Sequence, residues 1–264
     1  MDDEAYDRGT GWPPDLRAWL RDLQVATAFL TRLPIRPEQP AGLAALARAA
    51  RCFPLVGLGI GLIAGIVYAV AIEALLAPLL AVVLAVTAAI LVTGALHEDG
   101  LADTVDGFGG GDREAKLRIM RDSRIGTYGV IALILILGAQ VAALAALADS
   151  GDVAVALMVC HAASRALLVP VMHLEAPARS DGLAASAGRP SSATTLWALG
   201  IGAVVALILA GPFDGIVTSV VGAGVAWAIV RLAHRQIGGI TGDVLGMVQQ
   251  ATAIAMLLAL VALD

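Results

Sequence analysis

Charge is scarce in this 264-residue sequence, where Asp, Glu, Lys and Arg together make up 15%, against about 25% in soluble domains. Cysteine is scarcer. The only two, Cys52 and Cys160, sit in apolar surroundings without metal-ligand spacing, which excludes a disulfide framework or zinc site and leaves both as small hydrophobes. The acidic start MDDEAYD lacks the basic region and early apolar core of a cleavable signal peptide, so none is expected, and residues 1–14 read as a disordered tail. No repeat and no low-complexity linker divides the chain, so residues 15–264 read as one helical domain.

What the sequence has in abundance is hydrocarbon. Apolar residues make up 59% and the mean hydropathy is +0.85. Runs such as YGVIALILILGAQVAALAALA match the ~20 residues a helix needs to cross ~30 Å of lipid. Seven such spans are predicted, near 52–74, 78–96, 128–148, 153–174, 194–211, 215–231 and 245–263. The runs are continuous rather than alternating, which favours helices over barrel strands. The predicted fold class is therefore all-α, a polytopic helical membrane protein. Ahead of the first span, Leu16, Trp19, Leu20, Leu23 and Leu30 recur at helical spacing among Arg17, Arg21 and Asp22. That pattern predicts a helix lying in the interface, or partly inserted, that ends at Leu33-Pro34. Gly57, Gly61 and Gly65 form a small-residue stripe suited to close helix packing.

The basic residues alternate between loops. Arg8 to Arg51 precede the first span, Arg113 to Arg124 lie between the second and third, Arg179 and Arg189 follow the fourth, and Arg231 and Arg235 follow the sixth. The loops around Ala77, Asp149 to Asp152 and Pro212 to Asp214 carry none. The positive-inside rule then predicts a cytoplasmic N-terminus and an external C-terminus.

Against this background the stretch HEDGLADTVDGFGGG at 97–111 is anomalous. On a helix Asp99, Asp103 and Asp106 stand at about 0°, 40° and −20°, so they share one face. Such a row repels itself unless a cation is bound, and an oxygen-only donor set favours Mg²⁺ or Mn²⁺ bridged to substrate phosphates. A solvated surface face is the alternative. GFGGGD should break the helix, with Asp112 capping a basic one that carries Lys116, Arg118, Arg121 and Arg124. Arg121 and Arg124 suit a diphosphate, whereas Lys116 and Arg118 suit lipid headgroups. The glycine run lacks a P-loop's Gly-Lys-Ser/Thr ending. His97, about 160° from Asp99, is a candidate base or a structural hydrogen bonder. His161 and Arg165 lie at i,i+4 inside the fourth span, where Arg165 must face a polar interior, paired with an acid or holding phosphate. GGITGDVLG at 238–246 opens the last span with Thr241 and Asp243, as a simple cap or as a second wall of the site.

Taken together, FLTRLP at 29–34, RCFPLVGLGIG at 51–61, TGALHEDGLADTVDGFGGG at 93–111, IMRDSRIGTYG at 119–129, SR at 164–165 and GGITGDVLG at 238–246 resemble the cobalamin-5'-phosphate synthase family. The resemblance implies an integral inner-membrane, Mg²⁺-dependent transferase with cytoplasmic active-site loops. In that family a ribose hydroxyl of α-ribazole or its 5'-phosphate attacks adenosylcobinamide-GDP and GMP leaves. It implies Asp99, Asp103 and Asp106 as metal ligands, Arg121 and Arg124 as phosphate clamps, with Arg165 and Asp243 as further substrate contacts, and one carboxylate or His97 as base. The implied partners are these small molecules and membrane lipid, with no nucleic acid. Association with other cobalamin-assembly enzymes, or with a second copy, stays open. A CDP-alcohol phosphotransferase is disfavoured by the spacing D-x3-D-x2-D-G without its Ala-Arg. A cation transporter is disfavoured by the arginines beside the acids.

Overall fold

In the computed structural model, residues 15–37, 45–147 and 150–264 are described; the expected tail at 1–14 lies outside them. All the regular structure among them is helical apart from one isolated bridge between Pro177 and Ile240. The helices are α1 (Leu16–Leu30), α2 (Ala45–Ala49, continued by a short 3-10 turn to Cys52), α3 (Phe53–Glu73), α4 (Pro78–Thr93), α5 (Leu96–Phe108) and α6 (Arg113–Ile119). They are followed by α7 (Thr127–Ala146), α8 (Ser150–Leu174), α9 (Leu183–Ser186), α10 (Ser192–Leu209), α11 (Pro212–Ile237) and α12 (Gly242–Leu263). Among the described residues, six helices are long and apolar enough to cross a membrane, or seven if the bent pair α4–α5 counts as one span.

Helix α8 is the hub, flanked by α3, α10 and α12. The glycine stripe sets how closely α3 approaches it: a Cβ at Gly57 would collide with the His161 carbonyl, and one at Gly61 would lie 2.5 Å from that of Leu157. Backbone meets backbone there, as expected where lipid on the outside gives helices no hydrophobic reason to associate. Cys52 and Cys160 are buried free thiols.

Helix α1 packs on the bundle through Trp19, edge-on to Trp197 of α10 at 5.3 Å, and through Leu30. Leu16 and Leu20 stay exposed, which suits a helix lying in the interface. Asp22, read from sequence as part of the polar face, points inward instead. It is 1% exposed and ion-paired to Arg48 at 2.9 Å and Arg51 at 2.7 Å. The Arg51 guanidinium also lies 4.0 Å over the Trp19 ring. Paired and stacked in this way, the charges are tolerated in the interior.

Helix α1 ends at Leu30, short of the expected Leu33-Pro34, and two further boundaries differ for a structural reason. Helix α11 continues six residues past the expected end at Arg231, because Val230, Ala233 and Ile237 keep an apolar face buried although the segment is polar overall. The second span ends at Thr93. There the chain turns through 87° into α5, at Gly94 (φ 65°) and Ala95 (φ 58°), both left-handed. Glycine enters that region freely and alanine at a cost of about 1–2 kcal/mol. The carbonyls freed at the turn are met by Ala95 N–H donating to Ile90 O (3.0 Å) and Arg32 N–H donating to Val92 O (2.7 Å). The acid-bearing helix is thus turned out of the line of the apolar helix before it.

Candidate active site

Helix α5 carries Asp99, Asp103 and Asp106 on the face predicted for them and ends at Phe108, where GFGGGD begins its break. Asp112 caps α6, its Oδ1 accepting from Ala115 N–H at 2.7 Å. The three aspartates have different surroundings. Asp99 is exposed, while Asp103 and Asp106 are half-buried. Both carboxylate oxygens of Asp106 hold the start of α7, Oδ2 accepting from Gly126 N–H at 2.6 Å and Oδ1 from Gly129 N–H at 2.9 Å. A Cβ at either glycine would collide with that carboxylate. Asp106 therefore joins the acid helix to α7 and has only its remaining lone pairs for a metal.

Asp103 is the centre of the negative charge. Burial, then Asp99, Asp243 and Asp106, push its carboxyl up to about 6. Asp243 reaches the cluster because α5 and α12 meet glycine to glycine: a Cβ on Gly100 would lie 2.8 Å from the Asp243 carbonyl, and one on Gly246 would lie 3.0 Å from the Gly100 Cα. The Thr241 hydroxyl caps α12, accepting from Val244 N–H and donating to Asp243 Oδ2, each at 3.2 Å. GGITGDVLG is thus a helix cap, as one of the two sequence alternatives had it, and it also carries Asp243 to α5.

The donors are all hard oxygens, as Mg²⁺ prefers, and the negative charge that bears on Asp103 is what a cation would relieve. No three Asp, Glu, His or Cys side chains among the described residues stand close enough to hold an ion alone. The fit is therefore to an ion shared between one or two carboxylates and substrate phosphates, the usual arrangement for Mg²⁺.

The arginines are unequal. Arg121 makes a two-pronged bond to Asp181, at 2.7 and 2.8 Å. Arg124, 85% exposed, grips Asp122 and holds that carboxyl down to about 2. Arg118 is exposed, and Lys116 reaches Gln236. Arg165 lies in the bundle interior at 1% exposure, its Nη1 2.9 Å from His161 Nδ1 and 3.1 Å from the His161 carbonyl. The acid whose charge reaches it is Glu98, whose Oε1 accepts from Gln250 at 2.9 Å. His97 is 3% exposed beside a largely apolar cavity lined by Phe29, Leu30, Phe53, Leu168 and Leu245. Burial, then Arg165 and His161, hold it well below the usual imidazole range. His97 and Arg165 thus belong to the interior side of α5, and Asp99, Asp103 and Asp243 to the other.

Four polar residues were passed over in the sequence. Glu98 stood inside the quoted motif. Gln249 and Gln250 were visible as two amides in an apolar span; Gln249 donates to Ser164 at 3.0 Å. Arg179 had no local signal beyond lying in a loop, yet its Nη2 lies 3.7 Å from Asp243 Oδ2.

The cobalamin-5-phosphate synthase family model matches residues 22–261. The adenosylcobinamide-GDP ribazoletransferase of Bradyrhizobium diazoefficiens is 46% identical over 244 residues, 92% of this chain and 94% of the relative. The proteins of the same name from Sinorhizobium medicae and Rhizobium meliloti are 47% and 44% identical, each over 93% of this chain and 98% of the relative. No solved structure matches. A near full-length match whose span includes both the turned-out acid helix and its α12 wall makes this chain a member of the cobalamin-5-phosphate synthase family.

Proposed function

We propose that this protein is a Mg²⁺-dependent adenosylcobinamide-GDP ribazoletransferase of the cytoplasmic membrane, with its N-terminus and active site on the cytoplasmic face. The observation that carries the reading is the joining of α5 to the start of α12 through Gly100 and Gly246, which sets Asp99, Asp103 and Asp243 along one wall. The side follows from the loop arginines.

In this reading Asp99 and Asp103, with Asp106 and Asp243 behind them, would hold Mg²⁺ together with the substrate's phosphates. Its chemistry there, when bound, would be neutralisation of the charge on the transferring and leaving oxygens. A ribose hydroxyl of α-ribazole, or of its 5'-phosphate, forms the new O–P bond at the cobinamide-linked phosphorus. The bond to the bridging oxygen breaks, and GMP leaves with that oxygen. The hydroxyl proton passes to a carboxylate oxygen on the open side of α5. Asp99 is the exposed choice there, whereas His97 lies on the interior side. Arg121 and Arg124 exchange their exposed aspartate partners for phosphate oxygens. Arg165 keeps the interior side of α5 in place through Glu98. Membrane lipid is the standing partner of the bundle.

The test is reconstitution. Purified protein in lipid with adenosylcobinamide-GDP, Mg²⁺ and α-ribazole should yield GMP and a corrinoid product heavier by the ribazole moiety, read by mass. Metal-dependent ion flux in liposomes with no GMP release would overturn the reading.

A further inference from the structure

Arg179 lies in the loop between α8 and α9, and its side chain is 16% exposed. Its Nη2 faces Asp243 Oδ2 at 3.7 Å, too long for a hydrogen bond. Its Nη1 is buried with no hydrogen-bond partner. A buried guanidinium with an unspent donor is costly unless an acceptor arrives.

The loop is built to hold it there. Ala178 N–H donates to Ile240 O at 2.7 Å and Ile240 N–H donates to Ala176 O at 3.0 Å, so the residue before Arg179 is fastened to the segment that opens α12. The Ala178 carbonyl accepts from Arg113, whose Nε also donates to the Ile237 carbonyl at 2.9 Å. On the far side, Gly182 (φ 97°) leaves room for the guanidinium, since a Cβ there would lie 3.1 Å from Arg179 Nε. Among its neighbours, Arg113 is held by those carbonyls and Arg189 by the carbonyls of His173 and Leu174, while Arg121 reaches phosphate only by leaving Asp181.

Resting on the transferase reading, we propose that Arg179 is the resident guanidinium for the substrate's diphosphate, held by Asp243 until a phosphate oxygen takes the unspent Nη1. Asp243 is the carboxylate linking this arginine to the acid wall, because its charge acts on Asp103 and that of Asp99 acts on it. One guanidinium next to shared carboxylates gives a diphosphate–Mg²⁺ unit a cation on one flank and acids on the other. The planar fork can hold two oxygens at once, which lysine cannot.

The experiment is equilibrium binding without acceptor, in lipid with Mg²⁺, of two corrinoids: adenosylcobinamide-GDP and adenosylcobinamide, which lacks the diphosphate. The readout is the ratio of their affinities. Wild type should favour the GDP ester; no preference would overturn the transferase reading together with this proposal. Arg179→Gln should lower the ratio ten- to a hundredfold with adenosylcobinamide binding unchanged, and Arg179→Lys should keep part of the loss. If wild type shows the preference and Arg179→Gln retains it, or loses both affinities in parallel, the proposal fails while the transferase reading stands. Should Arg179→Gln not fold, Arg179→Lys decides, since its ratio must still fall several-fold.

Discussion

At the residue scale the decisive group is Asp103. Because burial and, after it, neighbouring carboxylates raise its folded-state carboxyl to about 6, its ionisation costs stability. That cost is absent at low pH, grows as pH rises through the interval from about 4 to 6, and is complete above it. Asp103→Asn should therefore raise the melting temperature of the metal-free protein at pH 7 while reducing GMP release at least a hundredfold. Unchanged melting together with near-normal turnover would make the row a solvated face. Among the cations, Arg121→Lys and Arg124→Lys should each lower initial GMP release by on the order of 10²–10³, as lost transition-state contacts do. Arg118→Lys should stay within about tenfold, as expected of a rim charge. Equal small losses in all three would confine the basic segment to headgroup contact. The aspartates, Arg165 and Asp243 were legible because charge in so apolar a chain is conspicuous. Arg179 was not, since nothing local separates it from the other loop arginines, and only the fastening of Ala178 to Ile240 brings it to Asp243.

At the element scale the site depends on a turn and a contact. Gly94 and Ala95 rotate α5 away from α4, and Gly100 and Gly246 let it lie against α12. Gly246→Leu should separate these helices and cost roughly 1–3 kcal/mol of stability, as overpacking does. GMP release should fall far more than that instability explains, because Asp243 leaves the wall; a variant of normal activity would show that the contact is dispensable. Gly129→Ala should displace the Asp106 carboxylate and loosen the start of α7, seen as faster amide exchange over residues 126–130. Unaltered exchange there would contradict the capping role. Helix existence was readable from hydropathy and the caps from Asp112 and Thr241. The 87° turn was not, since TGALHED shows glycine but not that alanine beside it also turns left-handed. The inward turn of Asp22 escaped for a similar reason, its partners Arg48 and Arg51 lying 26 and 29 positions away.

At the scale of the whole molecule, a cytoplasmic site requires the basic loops to share one side of the membrane. Cysteines introduced at Arg118 and Arg235 should react with an impermeant reagent from one side of the membrane and those at Asp152 and Asp214 from the other. Labelling of Asp152→Cys and Arg235→Cys from the same side would break the alternation. In the proposed function, carboxylates from helices far apart in sequence, α5 and α12, serve one metal-dependent transfer site. The most direct measurement is the Mg²⁺ concentration that half-saturates GMP release, compared between wild type and Asp243→Asn in matched lipid and salt. The expected result is a rise of about tenfold or more, in keeping with the loss of a charge that would support the metal-bearing carboxylates. An unchanged Mg²⁺ requirement in Asp243→Asn would contradict it.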